Sequence, residues 1–281
     1  MIKLIATDLD GTLLTNDKTI PLRNIQVLEQ VAAAGIQIVI CTGRTLPGVR
    51  YILEQLPFLN ASDYMILQNG AQILRVDEVQ SSVYQETLNL TTREAALRYA
   101  RQFEGKEAQL VTYDRDHLYL VGADKANQFV ERDAAFLHTP ITLMSVEQFL
   151  ERDDLLKTMI LGPEEMLNEL ETTITESDRQ TLSLVRSQRI ILEFLPEGVS
   201  KASGLDYLVR SLGLTPQEVL AIGDELNDIE MLQYAGTAVV MGNGVPKAKD
   251  LADFITLSNE EAGVAHALEA LILQLPQNNI E

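Results

Sequence analysis

Short apolar runs that recur between helix-patterned stretches constrain this chain more than any other feature. Ile2–Ala6, Ile36–Cys41 and Tyr64–Leu67 in the first third, and Val219–Ile222 and Ala238–Met241 in the last, read as strands buried on both faces. Between them, Pro21–Ala34 carries Ile25, Leu28 and Val31 on one face and stops at Gly35. Pro47–Leu56, Ala202–Leu212, Ile229–Tyr234 and Ala262–Leu275 read as further helices. Strands apolar throughout and separated by helices predict an α/β fold, with a parallel sheet covered by helices on both faces.

The middle of the chain has a different texture. From about Tyr84 to Arg189 the strands are shorter and more amphipathic, as in Gln109–Thr112 and Leu118–Val121. Helical stretches at Thr92–Phe103 and Glu164–Ser177 lie among them. This pattern predicts an α+β module inserted into the α/β domain. The expected organisation is a discontinuous core of residues 1–83 and 190–281 and an inserted domain at 84–189. A length of 281 residues fits two domains, at about 150 residues each.

Charge and cysteine usage narrow the function classes. Twenty-two basic residues against 41 acidic ones give a formal net charge of -19. That balance argues against a nucleic-acid partner, which needs a basic face for phosphates, and against docking on anionic lipid. It leaves room for a phosphate-bearing small molecule, because a bound cation inverts the local field. The single cysteine, Cys41, excludes an internal disulfide and a cysteine-rich zinc site and reads as the last core position of its strand. His117, His138 and His266 share no ligand spacing. Met1–Ile5 runs into Asp8 and Asp10 too soon for a signal-peptide core, and no apolar run approaches ~18 residues. A cytoplasmic protein, monomeric or homodimeric, is expected.

Four polar clusters follow the expected core strands, where open α/β sheets bind ligands. The first is Asp8-Leu9-Asp10-Gly11-Thr12. Two carboxylates directly after a buried strand are costly unless a cation or a shared proton relieves them; an Asx turn is the plainer alternative. The second is Cys41-Thr42-Gly43-Arg44, whose hydroxyl and backbone N–H groups suit an anion or simply cap a helix. The third, Gly198-Val199-Ser200-Lys201, places a cation in a first helical turn, against the helix dipole, unless an anion lies nearby. The fourth is Gly223-Asp224-Glu225-Leu226-Asn227-Asp228, where Asp224 and Asp228, four apart, can face one side of a helix start. Helix capping explains part of this cluster, but not Asp, Asn and Asp together after a buried strand. Taken together, the carboxylates suit a hard cation such as Mg²⁺, and Thr42, Lys201 and Asn227 supply donors for a phosphoryl group. No histidine neighbours a serine or cysteine, so acyl-transfer triads find no support.

These four motifs, in this order, resemble the haloacid-dehalogenase-like (HAD) superfamily of phosphohydrolases, in its Cof-type (IIB) subgroup of sugar-phosphate phosphatases. The resemblance spans the chain, including Gln68-Asn69-Gly70-Ala71 and the closing Ser258-Asn259-Glu260-Glu261-Ala262-Gly263-Val264. It implies a Rossmann-like core and an inserted α/β cap of the C2B type. It also implies that Asp8 attacks phosphorus to form an aspartyl-phosphate and that Asp10 serves as acid and then base. Mg²⁺ would be held by Asp8, the backbone carbonyl of Asp10 and Asp224, with Asp228 as a direct or supporting group that orients Lys201. Leu9 and Gly43 (through their N–H groups), Thr42, Lys201 and Asn227 would hold the phosphoryl oxygens. The substrate implied is a small phosphorylated metabolite. A phosphomutase of the same superfamily, or a non-catalytic sensor phosphorylated on Asp8, are the alternatives. Independently of the resemblance, Asn69-Gly70 predicts a type I′ turn.

Overall fold

The computed structural model describes residues 1–77, 82–103 and 107–273. Among these run β1 (Leu4–Thr7), β2 (Gln37–Cys41), β3 (Tyr64–Leu67), β4 (Gln72–Arg75), β5 (Ser82–Gln85), β6 (Gln109–Tyr113) and β7 (Leu118–Val121). They are followed by β8 (Ile141–Met144), β9 (Lys157–Leu161), β10 (Ser183–Gln188), β11 (Ile191–Leu195), β12 (Val219–Gly223), β13 (Thr237–Val240) and β14 (Phe254–Ile255). The chain forms two compact units: Met1–Gly43 with Arg50–Val83 and Lys201–Glu281, and Arg44–Val49 with Tyr84–Ser200.

The first unit holds one sheet in the order β14-β13-β12-β1-β2-β3-β4-β5. From β14 to β3 every neighbouring pair is parallel. β1 and β12 are buried at every residue, as expected of strands covered on both faces. The strand order reverses between β1 and β12. In open α/β sheets such a reversal opens a crevice at the carboxyl ends of the two strands. Asp8 directly follows β1 and Asp224 directly follows β12.

The sheet is not wholly parallel. β4 runs antiparallel to β3, with Leu67 opposite Gln72. The Asn69-Gly70 signal accounts for this hairpin: Asn69 (φ 56°, ψ 31°) and Gly70 (φ 106°) both take positive φ, as a type I′ turn requires. The N-terminal helix spans Leu22–Ala33 and buries Asn24, Val27, Leu28 and Val31. Asn24 Oδ1 accepts the Ala265 N–H at 2.9 Å, which ties this helix to the closing one. The closing helix begins at Gly263 because Ala262 is left-handed (φ 55°), and a wider π-type turn follows over Glu269–Leu273. The last two residues of the expected helix, 274 and 275, lie outside the described residues.

The second unit contains a sheet in the order β10-β11-β9-β6-β7-β8, antiparallel except for the β7–β8 pair. Successive residues point to opposite faces, and both faces are packed. Leu110, Ile160, Leu192 and Phe194 enter one core with Tyr99 and Phe149. Val111, Tyr113, Met159 and Ile191 enter another with Val130 and Leu137. The expected helix at Thr92–Phe103 is Leu90–Ala100, capped by Asn89, plus one 3-10 turn. The stretch Glu164–Ser177 is two helices, Glu164–Thr173 and Glu176–Thr181. Extended Ile174 breaks the first, and Thr175 starts the second by accepting the Asp178 N–H.

Candidate active site

Strand register brings the motifs level. Thr7 pairs with Ile40 of β2 and Ile222 of β12, so Asp8, Cys41 and Gly223 stand side by side at the carboxyl ends of the three strands. The Asp8 N–H donates to the Ile222 carbonyl at 3.0 Å, which carries the β1–β12 ladder one residue further. The chain then turns sharply: the buried Leu9 accepts the N–H groups of Thr12 and Leu14 at its carbonyl. Gly11 sits at φ +80°, and a Cβ there would fall 2.3 Å from Asp224 Oδ2, so only glycine lets the backbone come this close.

Asp8, Asp224 and Asp228, all buried, bring one carboxylate oxygen each within 4.8 Å of one another. Lys201 stands among them with its side chain fully enclosed. Its Nζ donates to Asp8 Oδ1 and to Asp228 Oδ1, each at 2.6 Å. Gly204, one turn along the same helix, permits this placement: a Cβ there would fall 2.9 Å from Ile66 Cγ2 and 3.2 Å from Gly70 Cα. The second oxygen of Asp228 accepts the N–H groups of Asp224 and Glu225 at 2.9 and 3.0 Å. Asp228 thus holds both the ammonium and the loop that carries Asp224. Thr12 Oγ1 donates to Asp224 Oδ1 at 2.8 Å.

The electrostatics follow from this crowding. Burial pushes the Asp8 carboxyl well above the usual range; Lys201 opposes that, and Asp228, Asp224 and Asp10 add to it. Burial, then the charge of Asp228, lifts Asp224 from 3.8 to about 7 against the pull of Thr12 and Lys201. Burial disfavours the Lys201 ammonium, but Asp228 and Asp8 outweigh it and hold the group above its ordinary value. Three buried carboxylates face one ammonium, so the group carries a surplus of acid over base. An all-oxygen donor set with that surplus fits a hard divalent cation. The chemistry of these residues therefore suits such an ion, which the carboxylates of Asp8, Asp224 and Asp228 could hold.

Not every expected site residue joins this group. The Asp10 carboxylate stands outside the three-acid cluster and accepts Lys18 Nζ at 2.8 Å instead. Thr42 is buried, donates its N–H to Ile66 and accepts the Asn69 N–H at its carbonyl. Gly43 lies against the Asn69 side chain, since a Cβ at Gly43 would fall 3.1 Å from that amide. Asn227 Nδ2 donates to Asn69 Oδ1 at 3.2 Å. Asn69 therefore joins the second and fourth motifs, a role that its reading as a turn residue did not include. Thr12, Lys18 and Asn243, whose Nδ2 donates to the Gly11 carbonyl at 2.8 Å, are further residues without an assigned role in the sequence reading. Thr12 lies inside the first motif. Lys18 and Asn243 lie in loops and carry no local signal. Among the described residues no helix is long and apolar enough to cross a membrane.

Residues 5–268 match the family described as haloacid dehalogenase-like hydrolase. YxeH of Bacillus subtilis (strain 168), provisionally named a phosphatase, is 32% identical over 279 residues, covering 97% of this chain and 99% of its own. A haloacid dehalogenase-like hydrolase from Bacteroides thetaiotaomicron superposes with a TM-score of 0.83 at 30% identity, over 97% of this chain and 100% of that one. The HAD subclass IIB sugar phosphatase BT4131 superposes with a TM-score of 0.80 at 25% identity, over 95% and 98%.

Proposed function

The chain belongs to the haloacid dehalogenase-like hydrolase family, and we infer that it is a Mg²⁺-dependent phosphatase of small phosphorylated metabolites, with sugar phosphates as its substrate class. The observation that carries this reading is the convergence of Asp8, Asp224 and Asp228 within 4.8 Å, with Lys201 bonded to two of them. The likeness to a sugar phosphatase supports the substrate class. On this reading the inserted cap is Tyr84–Ser200 of the second unit and the first unit is the catalytic core; the expected boundary at 189 falls short because β11 pairs with β9 and β10 in the second unit's sheet.

Asp8 is the nucleophile. Its carboxylate oxygen bonds to phosphorus as the bond to the leaving oxygen breaks, and Asp10 gives that oxygen its proton. In the second half Asp10 takes a proton from water, the water oxygen bonds to phosphorus, and Asp8 leaves as a carboxylate with inorganic phosphate. Thr42, Lys201, Asn227 and the N–H groups of Leu9 and Gly43 bind the phosphoryl oxygens. Asp8, the Asp10 carbonyl and Asp224 would hold Mg²⁺, while Asp228, with both oxygens already engaged, keeps Lys201 and the Asp224 loop in place. When bound, the ion neutralises charge on the transferring group and helps to align it. The residues' own task is placement and charge balance, which is most of what phosphoryl transfer asks of a protein.

The test is hydrolysis of 4-nitrophenyl phosphate with and without Mg²⁺, followed by a screen of phosphorylated metabolites. Turnover is expected to need the ion, to vanish in Asp8→Asn, and to release inorganic phosphate rather than an isomerised sugar phosphate. An unchanged rate in Asp8→Asn would remove Asp8 from the mechanism and overturn the reading.

A further inference from the structure

Lys18 lies eight residues beyond Asp10, in a loop that no motif covers. Its ammonium donates to Asp10 Oδ1 at 2.8 Å. An ion pair this exposed contributes little to stability, so its interest lies in what fixes it. The loop that carries Lys18 is closed on itself. The Thr15 N–H and hydroxyl both donate to the Thr19 carbonyl, at 2.9 and 3.1 Å, and the Thr15 hydroxyl accepts the Thr19 N–H at 3.2 Å. Inside this clamp Lys18 donates its N–H to the Thr15 carbonyl and sits at φ +62°, a left-handed conformation uncommon for a residue with a side chain. The loop is tied down from outside as well, by the Asn16 N–H donating to Glu260 Oε1 at 2.7 Å. A clamped turn thus delivers one cation to one carboxylate. That carboxylate belongs to Asp10, which stands outside the cluster of Asp8, Asp224 and Asp228.

We propose that Lys18 is a positioning residue for Asp10, holding its carboxyl group where it exchanges a proton with the leaving oxygen and then with water. The proposal rests on the assignment of Asp10 as acid and base. Lys18 forms no bond to phosphorus and takes no proton. It fixes one oxygen of the Asp10 carboxylate and so limits the side chain's rotamers. A proton transfer loses efficiency when donor and acceptor drift out of hydrogen-bond reach, and the loss is largest where the leaving group most needs the proton.

That dependence supplies the test. kcat/KM is measured on the Mg²⁺-loaded enzyme for 4-nitrophenyl, phenyl and 4-methoxyphenyl phosphate, esters of similar shape of which the first has a far less basic phenolate leaving group than the other two. In Lys18→Met the value for 4-methoxyphenyl phosphate is expected to fall about tenfold further than that for 4-nitrophenyl phosphate, a fraction of what a positioned acid contributes. Lys18→Arg should restore most of the difference. In an Asp10→Asn background Lys18→Met should add little, because the group it holds can no longer supply the proton. Equal losses on all three esters, or no loss in Lys18→Met, would overturn the proposal, as would a full additional split in the Asp10→Asn background. If Asp8→Asn remained active, the assignment of the nucleophile would fall first, which is a separate result from a flat ester series in an enzyme that Asp8→Asn inactivates.

Discussion

Thr12 Oγ1 donates to Asp224 Oδ1 at 2.8 Å across 212 residues of sequence, so the first motif orients a carboxylate supplied by the fourth. A hydrogen bond to a charged group contributes about 1.5–3 kcal/mol. In Thr12→Val the shape is kept and the donor is lost. The Asp224 carboxyl should then be harder to ionise, and divalent-ion affinity should fall by about tenfold or more. Isothermal titration of the metal-free protein with Mg²⁺ or Mn²⁺ reads this directly, and equal affinities in both proteins would exclude the orienting role.

The raised Asp224 carboxyl gives a pH dependence of definite sign. In the metal-free protein its value lies at about 7 rather than the ordinary 3.8, because of burial and then Asp228. The folded state therefore binds the proton more tightly than the unfolded chain. The stability this contributes is complete below 3.8 and is lost as pH rises through about 7. A divalent cation competes with the protons on Asp224 and Asp8, so its affinity should climb as pH rises through about 7. Thermal unfolding in EDTA from pH 5 to 8, repeated with Mg²⁺, should show the ion's stabilising effect growing over that interval.

Lys201 keeps two buried carboxylates apart. Removing one member of a buried ionic group leaves the others uncompensated, at a cost of about 3–5 kcal/mol. Lys201→Met should lower the stability of the metal-free protein by that order in urea unfolding, beyond the loss of turnover. Adding Asp228→Asn should recover part of the loss, since Asp228 is fully buried and is one of the two partners of the ammonium. A double variant no more stable than the single one would show that the cost lies in packing rather than charge.

In the second unit Thr175 caps the helix Glu176–Thr181 by accepting the Asp178 N–H at 3.1 Å. Thr175→Ala should cost about 1 kcal/mol locally. Amide hydrogen exchange over residues 176–181 should accelerate by about fivefold, with exchange in β9 unchanged.

How far the sequence discloses this molecule depends on how each residue earns its place. β1, β2, β3 and β12 are buried on both faces, so apolar runs and strands coincide almost residue for residue. The first, second and fourth motifs could be read because each directly follows such a strand, and the third because it stands at the start of the helix Lys201–Ser211. The inserted unit resists the same reading. β9 opens with Lys157, whose charge is buried against Glu193 at 3.4 Å, and the two middle residues of β8 are exposed. The helix Gln128–Phe136 buries only Val130 and Ala134, too few for a clear periodic signal. β4 was missed although its turn was recognised, because a hairpin partner of four residues is too short to show alternation. Thr12, Asn69 and Asn243 act through contacts made only when distant segments meet, and nothing beside them in the chain reports those contacts.

The place of β1 in the sheet has a consequence for biosynthesis. It is flanked by β2 on one side and by β12, more than two hundred residues later, on the other. At translation speeds of about 5–20 residues per second, β12 emerges on the order of ten to forty seconds after β1. Throughout that interval the nascent sheet has an apolar, unpaired edge beside Asp8, the kind of surface on which growing chains aggregate. A chaperone or the ribosome surface that shields this edge would therefore limit such aggregation until β12 is made.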